Sequence, residues 1–249
     1  MGKPTVSIIT PAFNCAETIS ETYASILKQS FYDWEWVVVE DHSTDNTYDI
    51  ICDLVKDDER VVVLRTSKNS GAATARNHGI SFAHGKYIAF LDADDLWMPE
   101  KLEEQISFMA STGIAFSFTD YEALAETGKK WNRISKKDVV TYKNLLHKCY
   151  IGCLTVMYDS EAIGKRYMPL DCEKREDHGA WLDITKDGID AVKLPKILAT
   201  YKVNSHSVSS NKFRMIKYQY RLFRRHEKFS PFMSFIYTCV TIWNKLISR

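Results

Sequence analysis

Glycine (10) and proline (6) are scarce in this chain of 249 residues. That scarcity excludes collagen-like and Gly/Pro-rich low-complexity classes. No run of 18 apolar residues occurs, so no segment reads as a transmembrane helix. The N-terminus enters a strand-like run by Thr5 with no basic segment and apolar stretch ahead of it, which argues against a secretory signal and predicts a cytosolic protein. The six cysteines (Cys15, Cys52, Cys149, Cys153, Cys172, Cys239) are scattered, and none forms a CxxC pair. Cys149 and Cys153 have no partner set at zinc spacing, so all six read as free, mostly buried thiols of a reducing compartment. A GxSxG elbow, a GxGxxG turn and a Walker loop are all missing, which argues against Ser/His/Asp hydrolysis, NAD chemistry and P-loop chemistry. What remains is an ordinary globular composition, 45% apolar and 26% charged. The length allows one or two domains with a full core.

The net charge is only +1, but it is unevenly spread. From Lys212 to Arg249 nine Lys/Arg accompany one acid, Glu227, a local +8, which leaves −7 on the first 211 residues. An acidic body with a basic tail suggests a polyanionic surface as the tail's partner.

Over residues 1–120 strand-like and helix-like runs alternate. Val6–Ile9, Trp36–Val39, Val61–Leu64 and Tyr87–Leu91 are short apolar runs. Between them, Ile19, Tyr23, Ile26 and Leu27 form one helical face, Ile50, Ile51, Leu54 and Val55 a second, and Gly71–Phe82 a third helix. Asn14 with Glu17 three residues on predicts a capped helix start, and Pro99 a first turn for the helix holding Leu102, Ile106 and Met109. This alternation predicts an α/β fold with a doubly wound, mostly parallel sheet, whose ligands bind at the carboxyl ends of the strands. Polar residues gather at four such ends: Pro11–Asn14, Glu40–Asp45, Ser67–Gly71 and Asp92–Asp95. Residues 121–211 are less regular. Gly128–Asp138 reads as a loop and Val192–Val203 as one or two short strands.

The strongest feature is Phe90-Leu91-Asp92-Ala93-Asp94-Asp95, three carboxylates directly after a buried strand. Such a cluster repels itself unless a cation or hydrogen-bond donors offset it. Mg²⁺ or Mn²⁺ takes oxygen ligands of this kind, usually together with substrate phosphates. The alternative is a helix start, with Asp94 or Asp95 as cap.

Four segments in order, Val6–Asn14, Glu40–Thr47, Asn69–Asn77 and Phe90–Pro99, resemble the inverting family 2 glycosyltransferases of the GT-A fold, above all bacterial enzymes that build surface polysaccharides. The resemblance runs from Val6 to about Val208. It implies transfer of one sugar from a nucleotide-sugar donor, with a UDP-sugar as the expected one, to a saccharide or lipid-linked saccharide acceptor. It implies that Pro11 and Phe13 line the base cleft, that Asp41 accepts a hydrogen bond from the base, and that Gly71 lets the backbone approach the nucleotide. The simple alternative for Asp41 is turn chemistry beside Ser43 and Asp45. Arg76 would orient the carboxylates or contact the nucleotide, with a surface ion pair as the alternative. Asp92, Ala93 and Asp94 take the place of the DxD motif, which holds ribose and a metal-bridged diphosphate; Asp94, with Asp92, would ligate Mn²⁺ or Mg²⁺. An inverting transferase also needs a base for the acceptor hydroxyl, and Glu176-Asp177 at a helix start fits, with Asp177 as that base. Its alternative is complementing the helix dipole. His206 reads either as a contact to diphosphate or metal, or as a solvated loop histidine. A nucleotidyltransferase would show a Gly-rich basic loop after the first strand, and Thr10–Asn14 has neither feature. A non-catalytic, membrane-associated binding subunit of the same fold is the other rival, and the intact Asp92, Asp94 and Asp177 argue against it.

These readings divide the chain into a transferase domain (1–211), with a nucleotide-sugar half (1–120) and an acceptor half (121–211), and a C-terminal helical tail (212–249). In the tail Arg214, Lys217, Arg221, Arg224, Arg225 and Lys228 form one helical stripe, and Phe213, Ile216, Tyr220 and Phe223 another. Past Pro231 the stretch Phe232–Trp243 is uncharged and rich in aromatics, and too short to span a bilayer. A basic amphipathic helix followed by such a segment suits a membrane interface, here the inner face of the cell membrane. The alternative is packing on the acidic body, or on another copy of the chain in a homo-oligomer. No nucleic-acid-binding motif accompanies the charge.

Overall fold

The computed structural model describes residues 2–203 and 212–247. The first half alternates β1 (Val6–Ala12), α1 (Ile19–Leu27), β2 (Trp34–Glu40), α2 (Thr47–Val55), β3 (Val61–Arg65), α3 (Ala72–Phe82) and β4 (Tyr87–Phe90). These four strands are parallel, with β1 between β2 and β4 and β3 outside β2. Every residue of β2 and β4 is buried, as in a sheet covered on both faces. Alternate residues serve opposite faces. Ile9, Val37 and Val39 pack with Ala75 and Ile80 of α3, whereas Ile8, Trp36 and Val38 pack with Ile19, Tyr23 and Ile51 of α1 and α2. Gly79 lets α3 sit close, since a Cβ there would lie 2.8 Å from Cγ2 of Ile9. The chain enters β4 on the side of β1 opposite to β2, so the ends of β1 and β4 form the topological switch point.

The second half continues through β5 (Leu96–Trp97), α4 (Lys101–Thr112), β6 (Phe116–Ala125), β7 (Lys130–Arg133), β8 (Val139–Val140), α5 (Tyr142–His147), β9 (Met157–Asp159), α6 (Ser160–Ile163), α7 (Glu176–Lys186) and β10 (Ala191–Val203). The sheet order is β3-β2-β1-β4-β9-β6-β10-β5, with β7 on β6 and β8 on β10. β9 is antiparallel to both β4 and β6, and β6 runs parallel to β10. The doubly wound α/β expectation therefore holds for the first half, and a mixed extension carries the second.

Three local expectations change. Asn14 does not cap α1: its backbone is left-handed (φ 48°), and its Oδ1 accepts from Thr44 N–H at 2.9 Å, joining the ends of β1 and β2. Residues 128–138 are not all loop, because Gly128 (φ 79°) turns the chain and β7 pairs antiparallel with β6. Residues 191–203 form one strand of 13 residues with register shifts around Pro195, which has no N–H to give the ladder. Pro99 stands two residues ahead of α4. All six cysteines are free.

The tail comprises α8 (Lys212–Arg221), a π-helical turn (Leu222–His226) and α9 (Pro231–Ile247). It packs on the body. Leu222 and Phe223 are fully buried in one cluster with Phe116 and Trp181, and Phe229 and Tyr237 pack against it. Polar contacts ring that plug. His226 pairs with Asp171 (3.1 Å) and Asp183 (2.9 Å), Arg221 with Glu173 (2.9 Å) and Glu227 with Lys186 (3.2 Å), and Tyr142 donates to Glu227. One side of α9 still faces outward: Phe232, Phe235, Trp243 and Ile247 are each more than 60% exposed. No helix among the described residues is long and apolar enough to cross a membrane.

Candidate active site

The carboxylate loop follows β4, and α1 holds it in place. Thr18 Oγ1 donates to Ala93 O (2.8 Å) and Thr22 Oγ1 to Asp95 O (3.0 Å). Thr18 therefore serves this loop rather than capping its own helix. Asp95 N–H closes on Asp92 O at 3.1 Å, a tight turn that sets the three carboxylates side by side. Asp95 is 1% exposed, and its Oδ1 accepts from Lys202 N–H of β10 (3.0 Å), so it ties the loop to the neighbouring strand. Burial, reinforced by Asp92, pushes the Asp94 carboxyl up to about 6. Burial and the same neighbours raise Asp95 far above the usual carboxylate range.

Arg76 connects this loop to the second half. It lies on α3, is almost fully buried, and its guanidinium reaches Asp92 Oδ1 (2.5 Å) and Glu176 Oε1 (3.3 Å). Its Nε is buried with no hydrogen-bond partner among the described residues. Glu176 opens α7, and burial raises its carboxyl while Arg76 lowers it. Asp177 follows, half-buried, its Oδ1 accepting its neighbour's backbone N–H from His178 at 2.7 Å. His178 is fully buried against Leu145 O (2.8 Å), and burial takes its imidazole down to about 4, so it is a neutral core residue. The structure therefore brings Asp92, Arg76, Glu176 and Asp177 into one group. Cys153 sits among them: burial raises its thiol, and all four charges act on it. Nothing in the residue pattern singles out Cys153, whereas Glu176 was legible as half of the acidic pair.

The other expected residues line the ends of β1 and β2. Pro11 is half-buried at the end of β1, and the Phe13 ring is 44% exposed just beyond it. Asp41 is buried after β2. Its oxygens already accept from Thr66 Oγ1 (2.8 Å), Ser70 N–H (3.0 Å) and Gly71 N–H (2.7 Å). These bonds fill most of the lone pairs of a carboxylate. In this structure Asp41 fixes the 66–71 loop, a different task from the base contact expected of it. Gly71 needs its freedom, since φ 86° at the head of α3 is a conformation that side chains resist. An open cleft of about 170 Å³ runs between the start of α3 and the 169–174 loop, reaching from Gly71 and Thr74 to Lys174 and Glu176. His206 lies outside the described residues.

Comparison with known proteins bears on this arrangement. The family model described as Glycosyl transferase family 2 matches residues 7–164. A Bacillus subtilis protein named as a teichuronic acid biosynthesis glycosyltransferase, TuaG, is 42% identical over 227 residues, 91% of this chain and 90% of that protein. The Escherichia coli UDP-Glc:α-D-GlcNAc-diphosphoundecaprenol β-1,3-glucosyltransferase WfgD is 38% identical over 86% of this chain and 83% of its own. Among solved structures, TarS 1–349 of S. aureus in complex with UDP superposes with a TM-score of 0.68 at 20% identity, covering 92% of this chain and 68% of that one. The mannosyltransferase PcManGT of Pyrobaculum calidifontis, in complex with GDP-Man and Mn²⁺, gives 0.70 at 18% identity, with 96% and 70% covered. The family model spans the strands β1 to β9, the carboxylate loop and the helix that carries Arg76, and the chain is a member of glycosyl transferase family 2.

Proposed function

We propose that the protein moves one sugar from a UDP-sugar to a lipid-linked saccharide during synthesis of a cell-surface polysaccharide, with inversion at the anomeric carbon. The observation that carries this reading is the Arg76 bridge, which ties the Asp92 loop to the Glu176-Asp177 helix start. The names of TuaG and WfgD support the substrate classes.

In this reading the base lies over Phe13, beside Pro11 and the loop that Asp41 pins. Gly71 leaves room for close backbone approach. Asp92, Ala93 and Asp94 face the ribose and diphosphate. The donor set there fits a hard cation: the groups are oxygen-only, two carboxylates stand together, and Arg76 engages a single oxygen of Asp92. Asp94 and Asp92 would hold Mn²⁺ or Mg²⁺, which when bound supplies neutralising charge for a leaving nucleoside diphosphate. Asp177 is the base. It takes the proton of the acceptor hydroxyl as that oxygen bonds to the anomeric carbon from the face opposite the breaking bond to the diphosphate. Arg76 holds Glu176, so the first turn of α7 presents Asp177 at a fixed place.

The outward side of α9 (Phe232, Phe235, Trp243, Ile247) and the basic residues of α8 would rest on the anionic inner face of the membrane, where lipid-linked acceptors are held. The test is a thermal-shift panel of UDP, GDP, CMP and their sugars, each with and without Mn²⁺. Stabilisation by UDP, strengthened by Mn²⁺, is the expected result; a response to GDP or CMP alone would overturn the uridine assignment, and no response to any nucleotide would overturn the enzyme's donor site.

A further inference from the structure

We propose that Gln219 and His226 of the C-terminal segment are positioning residues for transfer: they hold the helix that carries Asp177 and tie it to the loop that walls the cleft. This rests on the reading of Asp177 as the base, and adds the tail to the groups that set its place.

Helix α7 depends on partners for its position. At 11 residues it is too short to be stable alone, and no side chain caps it at Arg175. Arg76 holds its first residue, Glu176. The tail holds it at three further points. Gln219 Nε2 lies 3.5 Å from Nδ1 of His178, the residue next to Asp177. His226 Nε2 lies 2.9 Å from Asp183 Oδ1, and Glu227 pairs with Lys186 at 3.2 Å. Between Gln219 and His226 in the chain, Leu222 and Phe223 are buried in one cluster with Trp181 and Leu182 of α7.

His226 also reaches a second element. Its other ring nitrogen lies 3.1 Å from Asp171 Oδ1, and Arg221 pairs with Glu173 at 2.9 Å. Both acids belong to the 169–174 loop, which with the start of α3 bounds the cleft that reaches Glu176. One imidazole thus joins the base helix to the cleft wall. The loop and α7 meet directly as well, since a Cβ on Gly179 would lie 2.6 Å from Pro169 Cγ. A shift of the tail therefore carries both.

Gln219 is the residue that stability alone does not explain. Its side chain is buried, at 2% exposed. Leu145 O can only accept, so His178 donates to it from Nε2, and Nδ1 is left to accept from Gln219. Against that one long bond, the Gln219 Oε1 is buried with no partner among the described residues. An orphaned buried carbonyl lowers stability, and an apolar side chain of the same length would avoid the loss. What the amide supplies and an apolar chain cannot is a donor that fixes the imidazole beside the base.

The experiment compares Gln219→Met and His226→Gln with wild type, using a UDP-sugar and a saccharide on a short-chain isoprenyl diphosphate, so that no membrane is needed. Gln219→Met removes the donor and the orphaned carbonyl together, so its Tm stays within 2 °C of wild type or rises. Its kcat falls at least fivefold, with the Kd for UDP and the donor KM unchanged. His226→Gln, assayed well below its midpoint, shows the same fall. Hydrogen exchange reads the clasp without transfer: amides of residues 171–180 exchange at least threefold faster in both variants, and those of β1 and β2 do not change. A Gln219→Met protein with the wild-type kcat overturns the proposal. So does a loss of kcat that only follows a loss of Tm, which would make the tail a plain stabiliser. Unchanged exchange overturns it even where transfer is found. A wild type that transfers no sugar overturns the transferase reading and the positioning role with it, and faster exchange in the variants then marks the failure as one of chemistry and not of the clasp.

Discussion

Replacing Arg76 with Ala removes the cation that two buried or half-buried carboxylates share. Asp92 and Glu176 have side chains 30% and 14% exposed, and the guanidinium between them is 7% exposed. Breaking a buried pair by deleting one partner costs about 3–5 kcal/mol. The exposure of Asp92 places Arg76→Ala near the low end, about 3 kcal/mol, which in a chain of this size lowers Tm by roughly 6–12 °C. The sign of its pH dependence follows from linkage. Burial raises the Glu176 carboxyl and Arg76 opposes that rise; without Arg76 folded Glu176 holds its proton more tightly than the unfolded chain does, so the folded state binds more protons and stability falls as pH rises through the carboxylate range. The loss is therefore larger at pH 8 than at pH 5. Arg76→Lys keeps the charge but cannot fork between two carboxylates, and recovers only part of it. The assay is a pair of melting curves at the two pH values for the three proteins. A shift under 2 °C at pH 8, or an equal shift at both pH values, would refute the dependence of the two carboxylates on Arg76.

Further outcomes follow from the same structure. His226 is raised above its ordinary value by its bond to Asp183, against the effect of burial, with Asp171 and Glu227 also facing it. Its stabilisation is full below the unfolded histidine value and fades as pH rises through the folded one, so the Tm loss in His226→Gln is greater at pH 6 than at pH 8.5; an equal loss contradicts this. Gly85→Ala sets a Cβ against the backbone of Ser7 and 2.7 Å from Val6 C. That contact has no flexible side chain to give, and urea unfolding should show a loss of about 1–3 kcal/mol. Phe235→Ser with Trp243→Ser leaves the tail plug of Leu222 and Phe223 intact, so Tm stays within 2 °C while binding to anionic vesicles drops severalfold in sedimentation; unchanged binding removes α9 from the membrane.

The parallel half of the fold was legible because β1, β2 and β4 are buried on both faces and so read as unbroken apolar runs, and because chemistry collects at their carboxyl ends. The carboxylate loop and the Glu176-Asp177 pair were visible as residue types in place. Their junction was not. Arg76 and Glu176 are 100 positions apart, and only packing of α7 on the sheet brings them together. Hairpin β6–β7 stayed hidden because its outer strand is polar and exposed, lacking the alternation that marks a half-buried strand. The tail's stripes were visible, but Leu222 and Phe223 fill the space beside Trp181, a partner that no local pattern names. Asp41 shows the limit of a motif: the sequence names the carboxylate, and only the fold shows its oxygens holding the 66–71 loop.

The most direct test of the account is sugar transfer by Asp177→Asn. Asn keeps the size and the bond from His178 N–H but cannot accept a proton. With purified protein, a UDP-sugar donor and a diphosphate-linked saccharide acceptor, the variant should bind UDP as tightly as wild type and melt within 2 °C of it. Its kcat should fall by roughly 10²–10⁴, the usual range for a lost general base. Transfer at the wild-type rate by a folded, UDP-binding Asp177→Asn would contradict the central claim and move the base elsewhere in the cleft.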